Sequence, residues 1–357
     1  MDSTGDDANR RRGNDESVKT VLAALAVNSI LFGGKLTAYF MSGGLGEAPF
    51  AMLAEVLHSL GDSTAQAFLL IGIYKASRKA DKMFPFGYGR ERFRWSFASS
   101  GIVFILAGAT ILQGILGIAK GTEPHIDRVS LILFVCAAFA EGTVWCIAFR
   151  GIRKEMKRHR QSFRQYLKET SNPSGVAVLL EDAVAVTGIA VALGGIGLVK
   201  LTGSPVYDGV ASILIGILMG VMAWYLFDLN GKLLVGRASH ETEFRIRRIL
   251  ENTPLVKEIR EVKAVFVGVE QVRAHVVIVL NEQEVQKLVI DHLNGDAERL
   301  ITNSSEKGIG TIMRVHNYIK NKITDEVELK LWQGCPELAY LDLKEEEISE
   351  QDVAPTN

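Results

Sequence analysis

Ala54-Glu-Val-Leu-His-Ser-Leu-Gly-Asp-Ser-Thr-Ala-Gln66 lies inside an apolar run, and its offsets of three and four place Glu55, His58, Asp62 and Gln66 on one helical face. One stripe carries all the ionisable groups of the segment. Six stretches approach the roughly 20 apolar residues needed to cross a bilayer: Val18–Met41, Pro49–Tyr74, Trp95–Ala119, Val129–Phe149, Gly175–Leu201 and Val206–Leu229. The first, second and fifth are interrupted by Asn28 and Lys35, by the stripe itself, and by Glu181 and Asp182. At membrane depth such side chains are costly, so they should face a bundle interior or a wet cavity.

The composition agrees. The 357 residues are 48% hydrophobic yet 23% charged, with 40 Lys and Arg against 41 Asp and Glu. The mean hydropathy is +0.16. Balanced charge gives no footprint for nucleic acid. Three cysteines, Cys136, Cys146 and Cys335, provide neither a disulfide framework nor a CxxC motif, and the first two read as core thiols on helix four. Basic residues concentrate between helices two and three (Lys75 to Arg94) and between helices four and five (Arg150 to Lys168), which predicts that both termini are cytosolic.

The expected architecture is an all-α six-helix transmembrane bundle followed by a C-terminal cytosolic α+β domain of ferredoxin-like type. Residues 1–16 read as a disordered cytosolic tail retained in the mature protein, 17–230 as the membrane domain, 231–343 as the cytosolic dimerisation domain and 344–357 as a disordered acidic tail. Within the soluble part, Glu241–Asn252 predicts a helix, and Val262–Val267 and Val272–Leu280 predict strands joined through Gly268–Gln271. Glu284–Leu300 and Ile309–Ile323 predict helices, and Val327–Trp332 alternates like a strand.

His58 and Asp62, one turn apart, can offer an imidazole nitrogen and a carboxylate oxygen to one ion. Two ligands do not complete a site, and Asp182, with Glu181 beside it on helix five, is the carboxylate cluster that can supply more if helices two and five pack together. The competing reading is that His58 and Asp62 merely hydrogen-bond to lock the bundle. Glu55, Gln66, Asn28 and Glu141 are candidates for an ion or proton path, though each could equally bond a neighbouring helix. Glycines 188, 194, 195 and 197 suggest close helix packing rather than a phosphate loop.

Ala54–Asp62 with Asn28, Lys35 and Ser42-Gly43-Gly44, the Pro85–Arg92 segment, Leu179–Asp182 and Tyr207-Asp208 together resemble the cation diffusion facilitator family of divalent-metal/proton antiporters. The branch resembled is that of the animal mitochondrial zinc exporter. The resemblance implies a homodimer with a buried metal site between helices two and five in each protomer and alternating access coupled to protons. His58 and Asp62 match the helix-two ligands and Asp182 the second helix-five ligand. Val178 stands where the first helix-five ligand is expected, which opens the question of whether Glu181, water or a backbone group completes the shell. The segment between helices two and three contains Asp81 but no histidine, so no site is expected there. His240, His275, His292 and His316 lack ligand spacing, and His125 and His159 read as loop residues without partners.

The resulting expectation is a proton-coupled exporter of a divalent cation in a multi-pass protein, not an enzyme. Its partners are metal ion, protons, lipid and a second copy of itself, with no prosthetic group. Histidine with carboxylates favours zinc over magnesium or calcium and leaves manganese, iron and cobalt open. The default membrane is a bacterial plasma membrane. The rival is a non-transporting metal-sensing or scaffolding subunit.

Overall fold

The computed structural model describes residues 3–121, 125, 128–159, 162–163, 173–269, 271–293 and 321–346. It divides into two compact units, Met1–Val235 and Gly236–Asn357.

The first unit is a helical bundle of α1 (Ser3–Met41), α2 (Phe50–Ala76), α3 (Glu91–Lys120), α4 (Arg128–His159), α5 (Pro173–Thr202) and α6 (Val206–Val235). A single helical turn, Gly44–Glu47, links α1 to α2, and Gly43 preceding it has φ +99°, a conformation open to glycine. Residues 3–16, expected as a separate tail, are drawn into α1. Extending a helix that is already nucleated costs little per residue, even through a polar segment.

Five helices, α1 and α3 to α6, contain stretches long and apolar enough to cross a membrane. The expectation of six such segments is therefore met only in part: α2 has 27 residues, but its polar stripe keeps it out of that set. Packing explains how α2 tolerates the stripe. Its Ala51 and Ala54 join Val103, Ala107, Ala192 and Ala211 in one core, while Met52 and Val56 join Ala38, Phe134, Ala137 and Ile189 in another. α2 is walled by α1, α3, α5 and α6, and apolar side chains such as Ile105, Phe139, Val221 and Trp224 stand outward on the other helices.

α3 and α6 approach through glycine. A Cβ at Gly114 would lie 2.7 Å from the Gly209 carbonyl oxygen, and one at Gly216 would lie 3.0 Å from that of Ala107. Such backbone proximity suits helices whose association gains little from burying apolar surface in lipid. On α5, Gly195 makes a close approach of this kind to the Tyr207 carbonyl and Gly188 faces the Glu55 side chain, whereas Gly194 and Gly197 have nothing within 4 Å. Cys136 and Cys146 are exposed on α4 rather than in the core. An apolar thiol gains nothing from the interior when the outer face also meets an apolar solvent.

The second unit contains α7 (His240–Glu251), β1 (Val256–Gly268), β2 (Gln271–Leu280), α8 (Glu282–Leu293), α9 (321–334) and β3 (Leu338–Glu345). β1 pairs antiparallel with β2, and β2 pairs parallel with β3. Alternate residues of β2, namely Val272, Ala274, Val276 and Ile278, are buried, as are Ile246 and Leu250 of α7. Val327–Trp332 lies in α9 and is not a strand. Ile323, Val327 and Leu331 are all buried, and this four-residue spacing outweighs the local alternation. The third strand is instead Leu338–Glu345, which runs past the point where a disordered tail was expected to begin. Most of the expected Ile309–Ile323 helix, His316 and residues 347–357 lie outside the described residues.

Candidate functional site

α2 buries its whole polar stripe: Glu55, His58, Asp62 and Gln66 are each less than a tenth exposed. His58 Nε2 is 3.3 Å from Asp62 Oδ2, an ion-pair separation that does not meet hydrogen-bond geometry. Both imidazole nitrogens lack a hydrogen-bond partner, as do Glu55 Oε1, Gln66 Oε1, Ser59 Oγ and Asp182 Oδ2. So many unsatisfied buried lone pairs on facing helices are unusual for a structural interface.

α5 packs against α2 and brings its acids to the same region. Asp62 interacts electrostatically with both Glu181 and Asp182. Glu181 is the more buried of the two. The neighbours diverge, as expected for side chains about 100° apart around a helix. The ligands do not converge on a closed shell, since among the described residues no three His, Cys, Asp or Glu side chains form a group able to hold a metal ion. What is assembled is a His–carboxylate pair with two further acids across the α2–α5 contact.

Glu55 and Glu141 have a partner that the sequence did not assign to them. Lys35 of α1, 1% exposed, places Nζ 2.9 Å from Glu55 Oε2 and 2.8 Å from Glu141 Oε1. The three residues tie α1, α2 and α4 together. Gly188 makes room for the arrangement, because a Cβ there would overlap the Glu55 carboxylate. The signal was present: a lysine in an apolar run needs a counter-charge, and Glu55 and Glu141 were acids at similar depth. Asn28 is half-buried on α1, two turns before Lys35 on the same face.

Asp208 was noted only within a sequence motif, and the structure gives it a physical task. Phe50 N–H donates to its Oδ2 at 2.6 Å and Ala51 N–H to its Oδ1 at 3.0 Å. A carboxylate from α6 thus caps the N-terminus of α2. Asp81, on the connection after α2, accepts from Met83 N–H, Phe84 N–H and the Tyr88 hydroxyl. These donors hold its carboxyl below the usual carboxylate range, the Tyr88 hydroxyl most of all. In the second unit, His240 contacts Glu243 at 3.0 Å and His275 contacts Asp342 at 2.9 Å on the surface. The side chain of His292 lies outside the description.

The sequence model of the cation efflux transmembrane domain matches residues 21–235. Metal tolerance protein C4 of Arabidopsis thaliana is 27% identical over 343 residues, which is 93% of this chain and 74% of that protein. A mitochondrial proton-coupled zinc antiporter of Xenopus laevis is 30% identical over 339 residues, 91% of this chain and 59% of its own length. Its human counterpart is 28% identical over 336 residues, 91% of this chain and 58% of its own. The chain therefore spans less than three fifths of these animal relatives. The names of the two animal relatives describe antiporters. Coming from a plant and from animals, with the animal proteins named as mitochondrial, the relatives give the expected bacterial plasma membrane no support; hydropathy and loop charge do not distinguish one such membrane from another. The match runs from the apolar part of α1 to the end of α6 and takes in the whole polar stripe, and on that ground the chain belongs to the cation efflux family.

Proposed function

We propose that this multi-pass membrane protein exports a divalent cation, zinc first, in exchange for protons. The observation that carries the reading is the buried pair of His58 and Asp62 on α2, set across the α2–α5 contact from Glu181 and Asp182. The family and the printed names of the relatives point the same way. In this reading α2 is the sixth crossing, shielded from lipid by its neighbours. His58, Asp62 and Asp182 bind the ion, with Glu181 contributing from beside Asp182. Imidazole with carboxylates favours zinc and admits manganese, iron or cobalt. Metal binding requires deprotonated ligands, so entry of the ion releases protons and protonation from the opposite side helps expel it. The cationic connections put both termini in the cytosol, and the protein works as a homodimer in lipid with Gly236–Asn357 as its cytosolic part.

A non-transporting metal sensor or scaffold is the second reading, favoured by Val178 at the position of a ligand and by the open arrangement of the acids. Flux separates the two. Proteoliposomes with an imposed pH gradient should take up zinc with the native protein and lose uptake with Asp62→Ala and with Asp182→Ala. Folded native protein that moves none of zinc, manganese, iron or cobalt would refute export.

A further inference from the structure

One turn beyond Asp62 along α2, a cavity of about 30 Å³ opens among α2, α3, α5 and α6. It holds more than the 10–15 Å³ that a single water requires. Its polar lining includes Gln66, Ser99, Ser100, Glu181 and Asn230, with Val178 as part of its apolar wall. The hydrogen bonds of this lining are polarised in one sense. The Asn230 amide nitrogen donates to the Leu226 carbonyl at 2.8 Å, which leaves Oδ1 facing away from that bond, buried and without a partner. Gln66 Oε1 is likewise buried and unpartnered. The Ser99 and Ser100 hydroxyls both donate to the Ser96 carbonyl at 2.9 Å, so each spends its hydrogen there and keeps lone pairs for the cavity. Together with the Glu181 carboxylate, these groups offer oxygen acceptors beside the Gln66 carboxamide N–H, and no Lys or Arg lines the cavity.

We propose that this cavity is a second cation subsite, made of oxygen ligands alone, through which a divalent ion reaches the His58–Asp62 pair. The inference rests on the transport reading for its direction of use, though not for its chemistry. An acceptor-lined, buried space of this size suits a bare or singly hydrated divalent ion. Hard carboxylate, carboxamide and hydroxyl oxygens suit manganese or magnesium better than the imidazole-containing pair does. The subsite lies toward the end of the bundle where α2 and α6 finish and α3 and α5 begin, the cytosolic end in the orientation proposed above. Glu181 belongs to the cavity lining while its neighbour Asp182 has an unpartnered oxygen of its own. Glu181 thereby belongs to both the cavity and the neighbouring binding site while Asp182 serves the latter, and Val178 is explained: it forms wall where a ligand would draw the ion one turn too early.

The test uses the full chain and manganese(II), read by electron paramagnetic resonance. In an Asp62→Ala background, which disables the His58–Asp62 pair, one manganese should still bind per protomer. Adding Gln66→Met and Asn230→Leu should weaken that binding at least tenfold. Asn230→Asp, which keeps the shape and adds a charge, should tighten it at least fivefold, providing a gain of affinity that misfolding cannot imitate. In proteoliposomes, Gln66→Met with Asn230→Leu should raise the metal KM at least tenfold and shift preference from manganese toward zinc. Absence of manganese binding in the Asp62→Ala protein, or an affinity indifferent to all three cavity changes, overturns the subsite. Manganese binding that follows the predictions in a native protein without metal flux would overturn export and leave the subsite standing.

Discussion

Replacing Lys35 by methionine keeps the length and apolar stem of the side chain and removes only the ammonium. Two contacts vanish, at 2.9 Å to Glu55 and 2.8 Å to Glu141, and both carboxylates stay in a region where Lys35 and Glu55 are at most 1% exposed. For an exposed pair the loss would be at most about 1 kcal/mol, because water takes over the solvation of both ions. Here no water replaces the ammonium, and removing one partner of a buried pair costs about 3–5 kcal/mol. That corresponds to roughly two to three and a half powers of ten in the folding equilibrium. Most of the cost is the stranded charge rather than the intrinsic worth of the ion pair. Lys35→Met combined with Glu55→Gln and Glu141→Gln should therefore recover more than half of the lost stability. The assay is reversible unfolding in mixed micelles, with helicity and the combined fluorescence of the four tryptophans as independent probes. A Lys35→Met protein within about 1 kcal/mol of native, or a triple variant no more stable than the single one, would refute the claim that the two acids depend on this cation.

Asp208→Ala removes a carboxylate that accepts from two backbone N–H groups at the start of α2, and it should cost about 1–3 kcal/mol in the same unfolding assay. Gly114→Val should separate α3 from α6, because its Cβ would meet the Gly209 oxygen at 2.7 Å and Ile213 Cγ1 at 2.8 Å. A loss of about 1–3 kcal/mol is expected, whereas Gly194→Ala, with nothing within 4 Å, should unfold as the native protein does. Cys335 is fully buried, and burial together with the Glu337 charge pushes its thiol up to about 11. The thiolate is therefore scarce at pH 8 and increases only as pH approaches 11, so a soluble maleimide at pH 8 should leave Cys335 unmodified until the protein is unfolded. Prompt labelling of Cys335 in the folded protein would contradict its placement.

The sequence revealed the bundle and the polar stripe because both are written in local periodicity. Long apolar runs locate helices, and the three-to-four spacing of Glu55, His58, Asp62 and Gln66 locates a face. It did not reveal partners separated by more than a hundred residues. The tie from Lys35 to Glu141, the capping of Phe50 and Ala51 by Asp208, and the convergence of Gln66 with Asn230 depend on how helices are arranged around α2. The miss at 327–332 has a different cause. Val-Glu-Leu-Lys-Leu-Trp satisfies a two-residue alternation over a short window, and only the longer series Ile323, Val327 and Leu331 exposes the helical period.

The polarity of α2 and the position of Lys35 form one electrostatic arrangement. Glu55, Asp62, Glu141, Glu181 and Asp182 bring five acids into the bundle, where the buried Lys35 pairs with Glu55 and Glu141. Asp208 stands apart from this balance because the positive N-terminal end of α2 offsets it. A dry interior does not carry several uncompensated negative charges, since each costs several kcal/mol. Lys35 is tied covalently to α1 and shared by Glu55 and Glu141, so it neutralises that side permanently and cannot leave with cargo. Among the described residues Asp62, Glu181 and Asp182 have no lysine at ion-pair distance, and on the proposed reading their balance comes from ions able to enter and depart. In the proposed exchange a divalent cation supplies it in one state and protons in the other. On this argument the fixed cation and the missing one have complementary roles: Lys35 confines the exchangeable charge to the α2–α5 contact, where a passing ion meets both an imidazole and carboxylates.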